Sequence, residues 1–271
     1  MKHPVPGRMF SAGGRLDMGV IGVIALNAFR ESLRDKILYN LVLFAGLLIG
    51  LSVLLADLTI TEHHKMIADM GLAAINLVGV IIAIFIGISL VNKEIERRTI
   101  YTIMARPISR SIFIMGKYFG LVLTLFVNMA IMLAVFLVTL WLYHVPIGFS
   151  LFQAVQLIFV EILVVTAIAL FFSTFSSSTL SAILTSGIYV IGHLTADVRG
   201  MAMDSESAAV KAVAGLLYYL CPNLEMLNIK GQAAVGILVG PEYLMLASLY
   251  GLTYAGMLLT GACLIFQQRD F

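Results

Sequence analysis

The sequence predicts an all-α integral membrane protein. It should have six transmembrane helices, an amphipathic interfacial helix before them, and a short cytoplasmic helix between the second and third. Three observations predict this. The residues are 61% hydrophobic and 12% charged, against roughly 45–50% and 25% in soluble domains. The mean hydropathy is +1.01. The apolar residues also gather in six runs, each near the roughly 20 residues that a helix needs to cross hydrocarbon, and most charges fall between them. Cys221 and Cys263 lie in separate segments with no Cys-x-x-Cys or Cys/His spacing, which argues against a disulfide framework or a structural zinc site.

Residues 18–36 come first. Asn27, Arg30, Glu31 and Arg34 follow helical spacing, with Ile21, Ile24, Ala28 and Leu33 largely opposite. That pattern predicts an amphipathic helix lying in the membrane surface. No small-x-small cleavage pattern follows its apolar stretch, so a secretory signal is the weaker reading. The spans then read as 37–56, 70–91, 112–142, 151–175, 176–196 and 243–266. Lys117, near the start of the third, is expected to snorkel toward the headgroups. The fourth holds one charge, Glu161, and the fifth is rich in Ser and Thr. Only "STFSSST" at 173–179 separates these two. Read as one helix, they would extend about 69 Å, roughly twice the hydrocarbon core, so a break is required. In the sixth, Ala247, Gly251 and Ala255 make a small-residue stripe suited to close packing, within the fold or across a dimer.

Orientation follows from Lys and Arg. With the N-terminus inside, 13 of the 17 bases fall on the inner side, and inversion would leave 4 there. Both termini are therefore expected in the cytoplasm, with 92–110 a cytoplasmic loop and 197–242 an outer segment. In the outer segment, "AVAGLLYYL" (212–220) and "AAVGILVG" (233–240) flank "CPNLE". Both are too short to span. They predict short helices that dip into the outer leaflet or cap the bundle.

The loop "NKEIERRTIYTIMARPISR" is the densest concentration of charge in the chain. Lys93, Glu94, Glu96, Arg97 and Arg98 fall within six residues. No Gly or Pro interrupts 92–106, so a short helix is predicted, with Ile100, Ile103 and Met104 on one face. Pro107 ends it, and Ser109 can N-cap the helix that leads into the third span. Bases alone would fit a loop that only fixes topology. Acids contribute little to orientation, however, and an exposed apolar face needs a partner.

These residues resemble the permease subunits of ABC-2 type transporters, the nearest variant being the group with the nitrous-oxide-reductase maturation permease and gliding-type export permeases. The resemblance rests on Glu94, Glu96, Arg97, Arg98, Thr99, Ala105, Arg106, Pro107, Ser109, Arg110, Gly116, Lys117, Tyr118 and Gly120, and on the six-span layout and "YYLCPNLEMLNIK". It implies that 92–110 is a coupling helix docked on a separate ATP-binding subunit, present in two copies. Glu94, Glu96, Arg97, Arg98, Thr99, Ile100, Ile103, Arg106, Pro107 and Arg110 would make that contact. It also implies a cytoplasmic (inner) membrane location and a second copy of the permease. No G-x-x-x-x-G-K-[ST] occurs in the chain, so this chain carries no phosphate-binding loop. ATP and Mg belong to the partner, and this chain is expected to be neither an enzyme nor a nucleic-acid binder.

Three polar residues inside spans, Glu161, Asn128 and His193, are candidates for a pathway or gate. An intramembrane acid is costly and functional by default. Against that stand a helix–helix hydrogen bond made by the protonated acid, and a shallower depth than ten residues into the span implies. His193, near the outer end of the fifth span, reads as interfacial, and a lone His is weak ground for a metal site. Catalytic triads and paired carboxylates are missing from the pattern. Two functions follow: an ATP-driven exporter permease, or a membrane subunit that passes ATP-driven motion to an extracytoplasmic partner through 197–242 and carries no substrate.

Overall fold

The computed structural model describes residues 13–33, 36–56, 63–96, 110–203, 211–212, 214–215, 218 and 221–268. Every regular element among them is helical. In order they are α1 (Gly13–Leu33), α2 (Lys36–Ala56), α3 (His63–Glu96), α4 (Arg110–Leu142), α5 (Phe149–Ser173), α6 (Ser178–Met203), a 3-10 turn η1 (Leu224–Leu227), α7 (Lys230–Ala234) and α8 (Pro241–Gln268). A helix that is apolar on all sides must be buried, and α5 is such a helix. It sits at the centre, packed against α3, α4, α6, α7, η1 and α8. Of its residues only Phe149, Phe152 and Gln156 are exposed.

The surrounding helices keep one apolar face outward. Leu47 and Leu54 of α2, Phe126 and Trp141 of α4, Ile183 of α6 and Leu249 and Leu264 of α8 are all exposed. Such a surface would drive association in water and is at rest against lipid tails. Among the described residues, four helical stretches are long and apolar enough to cross a membrane: His63–Ser89, Ser111–Leu142, Phe149–Ser173 and Pro241–Gln267. A shorter apolar stretch, Leu41–Ala56, lies in α2. At 26 residues α6 is long enough, but Ser, Thr and Gly dilute it. Two of its hydroxyls bond their own helix, Thr185 Oγ1 donating to the Ser181 carbonyl at 2.7 Å and Thr195 Oγ1 to that of Gly192 at 3.0 Å. The break between α5 and α6 falls inside "STFSSST". Ser177 opens α6, its hydroxyl accepting from the Leu180 N–H at 3.4 Å.

Four sequence expectations need correction. First, 92–96 do not start a separate loop helix. With no breaker in "SLVNKEIE", α3 runs on from the apolar span to Glu96. Second, Lys117 does not snorkel: it is 2% exposed, 3.6 Å from Glu31 and over the Phe113 ring. The cause is α1, which lies directly on α4. A Cβ on Gly116 would fall 2.7 Å from Ile24, and one on Gly120 would fall 2.6 Å from the Ala25 carbonyl and the Ala28 Cβ. The apolar face of α1 is thus spent on α4, while Asn27, Arg30 and Glu31 stay exposed. Third, α1 ends at Leu33 and Lys36 already begins α2. Fourth, "AAVGILVG" is helical only to Ala234. Gly236, at φ +77°, then turns the chain, a conformation natural to glycine. An irregular run to Gly240 follows.

That outer segment is fastened to the bundle. Leu224, Leu227, Ile229 and Ala233 are buried in the core. Ser150 Oγ donates to the Ala233 carbonyl at 3.1 Å. Gln153 clamps Val239, donating to its carbonyl at 3.0 Å and accepting from its N–H at 3.1 Å. The small-residue stripe of α8 packs within the fold, Gly251 lying where a Cβ would meet Val160 at 2.5 Å.

Candidate functional site

Halfway along the central helix, Glu161 is completely buried. Leu, Ile and Val surround it in sequence, so any polar company must come from other helices. Asn76 of α3 supplies Nδ2, at 3.4 and 3.3 Å from the two carboxylate oxygens. From α6, the Tyr189 hydroxyl is a hydrogen-bonding neighbour, and His193 Nε2 lies 3.3 Å from Oε1. That last approach is close but bent away from hydrogen-bond geometry. Lys230, at the start of α7, adds a favourable field at longer range. The carboxylate thus ties α3, α5 and α6 together at one point.

The imidazole is itself oriented. Its Nδ1 lies 3.2 Å from the Tyr189 carbonyl, four residues back on α6. The ring stacks at a tilt on the Tyr189 ring, with centroids 4.7 Å apart. A carbonyl only accepts, so Nδ1 carries the hydrogen and Nε2 is the atom turned to Glu161.

Of the three intramembrane candidates, Glu161 and His193 come together and Asn128 does not join them. Asn128 Nδ2 donates to the Thr124 carbonyl of its own helix at 2.8 Å, one of the local bonds that polar side chains make along helices. His193 is deeper than its place near the end of the span suggested, since α6 continues for ten residues beyond it, to Met203. Asn76 and Tyr189 were missed. A signal existed for both: Asn76 is the one amide in 70–91, and Tyr189 lies one helical turn before His193.

Of the coupling residues, Glu94 and Glu96 occupy the last turn of α3, and Arg110 begins α4. Arg97, Arg98, Thr99, Ile100, Ile103, Arg106 and Pro107, with the Ser109 cap, lie outside the described residues. Of 197–242, so do 204–210, 213, 216–217 and 219–220. The matching residues further on are accounted for by packing: Gly116 and Gly120 admit α1, Lys117 pairs with Glu31, and the Tyr118 hydroxyl donates to the Leu163 carbonyl of α5 at 3.3 Å.

Compared with known families, residues 23–223 match the model of a family described as ABC-2 family transporter protein. No curated protein matches the chain.

Proposed function

Because the chain belongs to the ABC-2 transporter family, and so is a membrane subunit of an ABC transporter, we propose that it is the permease of an ATP-driven exporter. ATP and Mg are handled by two copies of a separate ATP-binding subunit, and this chain works beside a second copy of itself in the cytoplasmic membrane. The observation that carries the reading is the length of α3. Its 34 residues extend about 51 Å, well beyond the roughly 30 Å hydrocarbon core. The excess at its C-terminal end holds Lys93, Glu94 and Glu96.

A rigid rod with charge at one end and core contacts along its length is a lever. Force applied at Glu94 reaches Asn76 about 27 Å away, at 1.5 Å per residue, and Asn76 touches Glu161. In this reading the Glu161–His193–Asn76–Tyr189 cluster is the gate that α3 works. The charged residues 93–110 give register on the ATPase, and Ile100 and Ile103 give contact area. The same residues support placing the chain in the nitrous-oxide-reductase maturation and gliding-type group.

The test is charge reversal. Glu94→Lys and Arg98→Glu, expressed with the cognate ATPase, should lower coupled activity by about tenfold or more, since breaking a hydrogen-bonded charge pair at an interface costs about 2–5 kcal/mol. Membrane insertion should be unchanged. Full coupled activity in both variants would sink the coupling role.

A second reading is supported by the way the outer segment is anchored. A Cβ at Gly192 of α6 would lie 2.8 Å from the Pro222 carbonyl, so movement of α6 is felt at once in 222–224. A subunit that drives an extracytoplasmic partner through 197–242 needs such a link. Accumulation of a substrate in reconstituted vesicles would count against this second reading.

A further inference from the structure

We propose that the Glu161–His193 pair is a proton-binding site, and that one exchangeable proton holds α6 against α3 and α5. This rests on reading the cluster as the gate and adds what operates it. The argument is one of valence. Nδ1 of His193 is committed as a donor to the Tyr189 carbonyl. Nε2 then either carries a second proton or presents a bare lone pair. It faces a carboxyl oxygen at 3.3 Å. Bare nitrogen beside bare carboxylate is repulsive, so the closed arrangement holds one proton on the pair, on the carboxyl as the acid or on Nε2 as the imidazolium. Either way the pair is neutral overall, which is what a fully buried position in an apolar helix demands.

Release breaks that one O–H or N–H bond and passes the proton to water. The imidazole is the exchange route, since its side chain is 20% exposed and Glu161 is not exposed at all. What remains is a carboxylate beside a lone pair, with Asn76 Nδ2 as its donor from α3 and the Tyr189 hydroxyl from α6. Breaking a buried pair in this way is strongly destabilising. The relief is for α6 to move off and let water reach the carboxylate.

Lys230 of α7 acts only through its field. On α4 the Tyr118 hydroxyl is engaged with the Leu163 carbonyl, and α8 meets α5 one residue away, at Val160, with Gly251. α6 is suited to move, because Thr185 and Thr195 bond carbonyls of their own helix and Gly192 lies against 222–224.

The experiment uses the full chain in lipid nanodiscs without an ATPase, with Cys221 and Cys263 replaced by Ser. Spin labels go on Leu77→Cys of α3 and Val190→Cys of α6, exposed positions next to Asn76 and Tyr189. The probe is the proton itself, with pH varied over about two units on either side of neutrality. A longer α3–α6 distance should gain population as pH rises, the open-to-closed ratio changing about tenfold per pH unit, the slope for one linked proton. Glu161→Gln should abolish the response. So should His193→Gln, whose amide pairs with acid or carboxylate alike, which covers the case in which Glu161→Gln misfolds. An unchanged distance across the range, or a response that persists in both variants, overturns the proposal. The loop variants above separate the two claims: uncoupling by Glu94→Lys with no pH response leaves the permease reading standing and removes the proton site.

Discussion

At the scale of single residues, the chain buries polar groups where an apolar surrounding makes them costly and gives several of them a specific partner. Lys117 has Glu31, Asn128 has its own helix, and Gln153 has both backbone groups of Val239. Cys221 is treated differently. It is buried just before Pro222, and burial pushes its thiol above the ordinary range. The thiolate is the reactive form, so a raised value leaves less of it at a given pH. At pH 8 its alkylation by iodoacetamide should be slower than that of the same thiol in unfolded protein. The rate should go on climbing past the usual thiol value of about 8.5, where an ordinary thiol begins to level off. Equal rates in folded and denatured samples at pH 8 would show that the segment around Cys221 opens readily. This thiol titrates by losing a proton, so the sign is fixed: alkaline conditions expose its reactivity and acid conditions hide it.

At the scale of elements, the seam between α1 and α4 carries a clear consequence. Gly116 and Gly120 lie one turn apart, facing Ile24, Ala25 and Ala28. Gly120→Val would drive a branched side chain into the Ala25 carbonyl and the Ala28 methyl, and overpacking of this kind costs about 1–3 kcal/mol. The thermal-unfolding midpoint in detergent should fall. Gly256→Ala on α8, with nothing within 4 Å of the new Cβ, should be neutral or slightly stabilising, since glycine costs helices roughly 0.5–1 kcal/mol. A Gly120→Val protein as stable as the parent would mean that α1 is not docked there. These elements also show what could be read in advance. That a break separates α5 from α6 followed from length, because 46 residues cannot cross once, and its place followed from "STFSSST". The burial of Glu161 followed from its being the one acid well inside a span. Its partners did not follow. Asn76 and His193 are 85 and 32 residues distant in sequence, and only the packing of α3 and α6 on α5 selects them. The fate of Lys117 was hidden for the same reason: snorkelling assumes open lipid, and the side chain is instead roofed by α1. A local pattern defines a helix and its faces. Which face meets which helix is a property of the assembled bundle.

At the scale of the whole molecule, the two ends of the bundle differ in kind. One end gathers 143–148, the η1–α7 cap and the clamped run to Gly240; the cap and the run are tied to α5 and α8, with Ser150, Gln153 and Tyr243 donating to the carbonyls of Ala233, Val239 and Met226 and the Tyr250 hydroxyl accepting from the Asn223 N–H. The opposite end gathers α1, the last turn of α3, the α5–α6 turn and the end of α8, where Gln267 donates to Ser111 at 2.7 Å. Among the described residues this second end carries Arg15, Arg30, Lys36, Lys93, Arg110 and Lys117, and by the positive-inside rule we propose that it faces the cytoplasm. In a protein with Cys221 and Cys263 replaced, Tyr143→Cys and Gln232→Cys should react with a membrane-impermeant maleimide in intact cells. Ser177→Cys should react only after permeabilisation. All three positions are exposed, so access to the reagent is governed by the membrane and not by burial. The reverse pattern would invert the molecule. It would put the charged end of α3 outside, away from any cytoplasmic ATPase, and so remove the lever on which the permease reading depends. At the other end the last described turn of α3 carries Lys93, Glu94 and Glu96, whereas the capped end is closed by its own chain. The asymmetry of the bundle therefore argues for force entering at Glu94 and Glu96 and leaving at the face that carries 222–240.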